Sequence, residues 1–233
     1  MATNLVEYQS HFLSLFNSKI HITPLDFHEL PSLVARTMEA ADKYTTLTGD
    51  EKHTLVLDVL SRAIKGTEAS ELKKETALDQ LDSIIDNFVR ISRGAVSVDK
   101  REVLDPKTTN LIQIGEKVYK EVREMFDDDK ITLRELVKTL PFVVSSVIKV
   151  LNKVKKLKGG EKKQVAIAVI NRLLDELPIP RETDKDRAKI KLYKKSVSSL
   201  IDTSIAVATG KINVNHVAEL AKVGFSVCKL FCK

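Results

Sequence analysis

Residues 30–65 read LPSLVARTMEAADKYTTLTGDEKHTLVLDVLSRAIK, and residues 140–175 read LPFVVSSVIKVLNKVKKLKGGEKKQVAIAVINRLLD. Laid over one another without a gap, at an offset of 110, they agree at ten of 36 positions. Leu30-Pro31 falls on Leu140-Pro141, Val34 on Val144, Lys43 on Lys153 and Leu47 on Leu157. Gly49 falls on Gly159, Glu51-Lys52 on Glu161-Lys162, Val59 on Val169 and Arg62 on Arg172. Phe16 also falls on Phe126. With six extra residues after Pro178 the match resumes: Ile85-Asp86 on Ile201-Asp202, Gly94 on Gly210, Val98 on Val214. Apolar residues recur in both stretches at helical spacing. The pattern predicts an all-α chain made of two tandem pseudo-repeats of a roughly four-helix unit, packed orthogonally. The first, acidic, covers residues 1–106 and the second, basic, residues 107–233; two copies are too few for a solenoid, so one composite domain is an open alternative.

Outward from these stretches, nine helices are expected, over about 4–18, 24–47, 50–65, 70–92, 110–126, 132–157, 161–176, 184–209 and 214–231. Thr23-Pro24-Leu25-Asp26 has the order of an N-cap, a first-turn proline and an acidic residue facing the helix dipole. Thr132 and Glu135 have capping-box spacing. Gly66, Gly94, Gly159-Gly160 and Gly210 mark breaks. Pro31 and Pro141 interrupt helical patterns at the same place in each half, which predicts a kink or a break there. Leu140 to Leu151 is apolar nearly all round, as in a central buried helix. Lys19–Ile22, Ala95–Val98, Lys130–Thr132 and Lys211–Val214 are short and β-branched, and are expected to pair as short β-bridges between helical hairpins.

Composition narrows the function. The chain has 233 residues, 43% hydrophobic and 30% charged, no Trp and 5% aromatics. Enough apolar surface is present to form a core, which argues against intrinsic disorder. The aromatic content argues against a β-sandwich or a stacking reader of single strands. Cys228 and Cys232 are the only cysteines and form no disulfide framework, so an intracellular reducing compartment is expected. The Cys228-Lys-Leu-Phe-Cys232 tail is a weak lipidation candidate. The N-terminal residues lack a basic segment followed by an apolar run, so no secretory signal is expected. No apolar run reaches the roughly 18 residues of a membrane span.

No catalytic constellation emerges. Asp127-Asp128-Asp129 with Glu135 resembles half of an EF-hand loop, but Phe126 and Asp129 occupy positions where a ligand and a glycine are needed. An acidic turn capped by Thr132 is the simpler reading. His11, His21, His28, His53 and His216 stand at no metal-ligand spacing from one another or from the cysteines. No nucleophile elbow, Walker A or dinucleotide fingerprint is present. Gly49-Asp50-Glu51-Lys52 and Gly159-Gly160-Glu161-Lys162 resemble phosphate-binding helix starts only superficially, because the glutamate repels an anion. No enzyme activity, cofactor or metal is expected.

Charge is the one strong asymmetry. Residues 1–109 hold 13 Lys+Arg and 17 Asp+Glu, whereas residues 110–233 hold 25 and 15. Lys149, Lys153, Lys155, Lys156, Lys158, Lys162 and Lys163 surround Gly159-Gly160. A second cluster is Lys185, Arg187, Lys189, Lys191, Lys194 and Lys195, mixed with Asp184 and Asp186. Such patches attract an acidic protein face, nucleic acid or anionic lipid. Lysine predominates over arginine, so base-specific reading is not indicated. The expected function is a non-enzymatic structural or adaptor protein docking onto an acidic protein partner. The alternative is a nonspecific nucleic-acid or anionic-surface binder acting through the lysine clusters.

Met38-Glu39-Ala40-Ala41-Asp42-Lys43-Tyr44-Thr45-Thr46-Leu47-Thr48-Gly49-Asp50-Glu51-Lys52, followed by Leu55 to Leu60, resembles a helical segment of uncharacterised proteins of large nucleocytoplasmic DNA viruses. The segment from Gly159-Gly160-Glu161-Lys162-Lys163 to Ile170-Asn171-Arg172-Leu173-Leu174 is similar. The resemblance covers about 35 residues per unit and implies a virion component, such as a cement or minor capsid protein.

Overall fold

Three helix starts are written locally by the same chemistry. Thr48, Thr132 and Thr183 each accept a hydrogen bond from the backbone N–H three residues on, at 3.3, 3.2 and 3.1 Å. Glu51, Glu135 and Asp186 each accept in return from the threonine backbone N–H. Two of the four otherwise unpaired N–H groups at each start are thereby satisfied. At the fourth such place Lys158 has no hydroxyl, but its N–H still donates to Glu161 Oε2 at 2.8 Å. The glutamates after Gly49 and Gly159 thus serve as caps. Thr132→Ala is expected to cost about 1 kcal/mol, read as a lower urea midpoint with an unchanged slope.

The structure, a computed structural model, describes residues 26–95, 111–124, 132–154, 157–176 and 183–214. Seven α-helices occur among them: α1 (Leu30–Asp42), α2 (Gly49–Lys65), α3 (Glu71–Arg90), α4 (Leu111–Arg123), α5 (Leu133–Asn152), α6 (Gly159–Glu176) and α7 (Asp184–Ala208). A wide π-type turn, Ile91–Ala95, follows α3. The fold among the described residues is all-helical, without strands. Lys211–Val214 follow α7 with no strand pairing. The other three segments expected to form bridges lie wholly or largely outside the described residues, as do the helices expected over 4–18 and 214–231 and the acidic turn at 127–129.

The two prolines play different parts. Pro31 sits in the first turn of α1, where its missing N–H costs nothing, so the helix begins there and does not kink. Pro141 lies inside α5, where it deprives the Val137 carbonyl of its donor. The Ser83 hydroxyl of α3, 3.0 Å from the Gln80 carbonyl, also reaches that orphaned carbonyl at 3.4 Å.

Packing within each half is alike. α1 lies on α2 and α3, and α2 on α3; α5 lies on α6 and α7, and α6 on α7. α4 lies on α6 and α5. Between the halves α3 packs on α5, α1 on α7 and α3 on α7. The buried apolar residues of both halves form one continuous cluster, from Val34, Leu55, Ile85 and Phe88 to Val144, Ile170, Val197 and Leu200. α5 is central: Leu140, Val144, Val147 and Leu151 are buried, and only Lys149 emerges within that stretch.

Both α1 and α5 end well before their apolar pattern does, at Asp42 and Asn152. Leu47 and Leu157 remain buried although they lie in the following turns. Lys52 helps close the first of these ends. Only 3% exposed, it sets Nζ 3.4 Å from the Asp42 carbonyl and 3.7 Å from Asp42 Oδ1, a cation at a helix C-terminus. Gly94 and Gly210, after α3 and α7, take φ of 86° and 71°, a region that a side chain disfavours.

Candidate functional site

The lysines around the α5–α6 turn divide into free and paired groups. Lys149, in the last turn of α5, is exposed, and so are Lys153 and Lys158. Lys153 lies 3.8 Å from Glu121 of α4, both side chains well hydrated, an ion pair of little energetic weight. Lys162 and Lys163 are half-buried on α6, and Lys163 Nζ donates to Asp202 Oδ2 of α7 at 2.7 Å. Lys155 and Lys156 lie outside the described residues. The structure therefore leaves Lys149, Lys153 and Lys158 presented to solvent about one turn, while Lys163 is engaged across to α7.

The second basic cluster is partly engaged inside the molecule. Lys185 Nζ lies 2.9 Å from Glu75 Oε2 of α3. Lys189, 8% exposed, donates to Glu75 at 2.9 Å and to Asp79 at 3.3 Å. Burial alone lowers the pKa of the Lys189 ammonium, but the hydrogen bonds to Glu75 and Asp79 outweigh it and raise that pKa above the ordinary lysine value. Hydrogen bonds from Lys185 and then Lys189 hold the Glu75 carboxyl below the usual carboxylate range. Arg187 binds Asp184 and Lys194 binds Asp175, each at 2.5 Å. Lys185 and Lys189 thus belong to the seam between the acidic and basic halves, Arg187 and Lys194 pair within the basic half, and Lys191 and Lys195 stay exposed on α7. Tyr193, fully buried nearby on α7, has its phenol raised by burial, then by Asp79 and Glu75.

α4 is latched to α6 by a second polar group. The Arg172 guanidinium lies over the Tyr119 ring at 4.1 Å, and its Nε donates to Glu176 at 2.7 Å. It also binds Glu116. The Tyr119 hydroxyl donates to Glu176 at 2.6 Å. All of these groups are substantially hydrated, so the latch orients α4 more than it stabilises the fold.

One constellation escapes linear reading. His53 of α2 faces Asp82 and Asp86 of α3, with Nε2 3.4 Å from Asp82 Oδ1 and 3.6 Å from Asp86 Oδ1. The three ligand atoms lie within 4.8 Å of one another. The imidazole pKa is raised by Asp86 foremost, against burial, with Asp82 and Asp50 adding to the effect. Asp82 and Asp86 share a helix face at i, i+4, but His53 is 29 residues before Asp82, so spacing among histidines and cysteines could not reveal it. The available signal was the acidic i, i+4 pair itself.

No protein-family model matches the chain, and the searches of curated proteins and of solved structures returned no match. Among the described residues, no helix is long and apolar enough to cross a membrane.

Proposed function

We propose that this is a non-enzymatic structural or adaptor protein, built from two copies of one helical module and docking onto an acidic protein surface through Lys149, Lys153 and Lys158. The observation that carries the docking reading is the contrast between the two basic clusters. Four of the six cations in the second cluster face Glu75, Asp79, Asp184 or Asp175, while these three lysines gather about one turn and point to solvent with at most one weak partner. An array of hydrated ammonium groups suits a surface matched by charge more than by bidentate fit.

The duplication is supported by reciprocity in the packing. α1 on α7 is the same pairing as α5 on α3 with the halves exchanged, and α3 on α7 exchanges into itself, as expected of two modules about an approximate two-fold axis. Helix ends at Asp42 and Asn152, and left-handed glycines at Gly94 and Gly210, fall at related positions. Shared apolar packing favours one composite domain over two separate ones. In this reading the acidic first copy is the basic copy's first partner, and the α5–α6 turn carries the charge left over. The cement or minor capsid role rests on the viral resemblance alone.

The experiment is charge reversal of Lys149, Lys153 and Lys158 to Glu together. All three are exposed, so the fold should survive, as circular dichroism would confirm. Proteins captured from native material by the original chain should be lost by the variant; an identical captured set ends the proposal. A mixed-sequence DNA duplex titrated from 50 to 200 mM salt separates the alternative. Nucleic-acid binding through several phosphate contacts would fall log-linearly by orders of magnitude.

A further inference from the structure

We infer that His53, Asp82 and Asp86 form a binding site for a divalent first-row transition ion, with zinc the best fit. The set is chemically mixed, one imidazole and two carboxylates, drawn from two helices whose mutual packing fixes it. The His53 side chain is 27% exposed, but its Nε2 is turned inward and makes no well-aligned hydrogen bond, although two carboxylate oxygens stand within ion-pair reach at 3.4 and 3.6 Å. Those separations are too long or too poorly aligned for hydrogen bonds. These two separations are close to the edge of a zinc tetrahedron, roughly 3.4 Å when zinc–ligand bonds are about 2.1 Å, and the whole set lies within 4.8 Å, so the two carboxylates need only a small adjustment to close on an ion. Asp82 is widely exposed, with 68% of its side chain in solvent, which provides an entry path and leaves a fourth position for water.

Charge balance agrees. A neutral imidazole between two carboxylates leaves two negative charges, which a divalent cation neutralises. The related place in the second half shows what fills such a position otherwise. Under the repeat offsets His53, Asp86 and Asp82 correspond to Lys163, Asp202 and Ser198. There a fixed ammonium meets a single carboxylate at 2.7 Å. The first half has exchanged that built-in cation for a weaker base and added a second carboxylate. This last comparison rests on the duplication proposed above; the ligand geometry does not.

The test uses the full chain stripped with EDTA, then titrated with Zn2+ by calorimetry and followed by thermal unfolding. The original chain should bind about one ion at this site and unfold at a higher temperature when loaded. His53→Gln and Asp82→Asn should each weaken that binding at least tenfold and remove the thermal shift. Asp82 is exposed, so Asp82→Asn separates lost binding from lost folding. Asp202→Asn, at the related ion pair, should leave zinc affinity unchanged. Co2+ substitution should give a visible spectrum of nitrogen and oxygen ligation that Asp82→Asn abolishes. The inference is overturned if zinc leaves the original chain's stability unchanged, or if its affinity survives both ligand substitutions. Lysine reversal at the α5–α6 turn tests the docking proposal independently, because none of those lysines belongs to this cluster.

Discussion

Phe88→Ala should lower the unfolding free energy by about 3–5 kcal/mol. Phe88 is 0% exposed on α3, the helix that packs on α1, α2, α5 and α7. Aromatic volume is scarce here: with no Trp in the chain, the buried aromatics among the described residues are Phe27, Phe88 and Tyr193. The surrounding cluster is aliphatic, and its helices are held from several sides, so it can collapse only partly into the space vacated. Lost transfer energy and the cavity then add. Total stabilities of about 5–15 kcal/mol make this a large fraction of what holds the chain folded. Phe142→Ala is the control. Phe142 is half-buried on α5 beneath the Arg90 guanidinium, 4.7 Å from the ring centroid, and its removal should cost only about 1 kcal/mol. Urea unfolding of both variants checks the contrast; a Phe88→Ala loss below that of Phe142→Ala would mean that α3 is not at the centre of the core.

The starts of α2, α5 and α6 were legible because they are chemical. Thr132 with Glu135 announces a capping box that the structure contains, and the glycine breaks followed by glutamate at Gly49 and Gly159 mark helix starts at which that glutamate proves to be the cap. The ends of α1 and α5 were not legible. Periodicity predicts helix to about residues 47 and 157, whereas the helices stop at Asp42 and Asn152. Leu47 and Leu157 keep the apolar rhythm because they are buried, and burial does not require helical backbone at those positions. The expected equivalence of Pro31 and Pro141 failed for a related reason. A proline's cost depends on whether a carbonyl four residues earlier awaits its N–H, and only α5 extends that far back. The charge asymmetry was visible, but not its destination. Lys189 and Glu75 are 114 positions apart, and only packing of α7 on α3 joins them. The same holds for His53 and the Asp82–Asp86 pair.

Lys189→Glu is expected to cost about 3 kcal/mol or more, comparable to removing one partner of a buried ion pair. The substitution replaces a nearly buried ammonium with a third carboxylate beside Glu75 and Asp79. Lys189→Met separates the charge from the stem. It keeps the apolar contact of the side chain, and Glu75 retains Lys185, so the loss should be about 1 kcal/mol. The pH dependence has a definite sign. Glu75 has a depressed folded-state pKa, so its contribution is present above the unfolded value of 4.5 and disappears as pH falls through the folded value. Lys189→Met removes one of the two hydrogen bonds responsible, so its deficit relative to the original chain should be largest near neutrality and shrink towards pH 3. Added salt should relieve part of the Lys189→Glu penalty and little of the Lys189→Met penalty, because only the former contains repulsion between half-exposed charges. Urea midpoints at pH 7 and pH 3, each at low and high salt, check both statements. A Lys189→Glu chain as stable as the original would show that the basic half does not meet the acidic half through this seam. The positive charge of α7 would then be available to an outside partner after all.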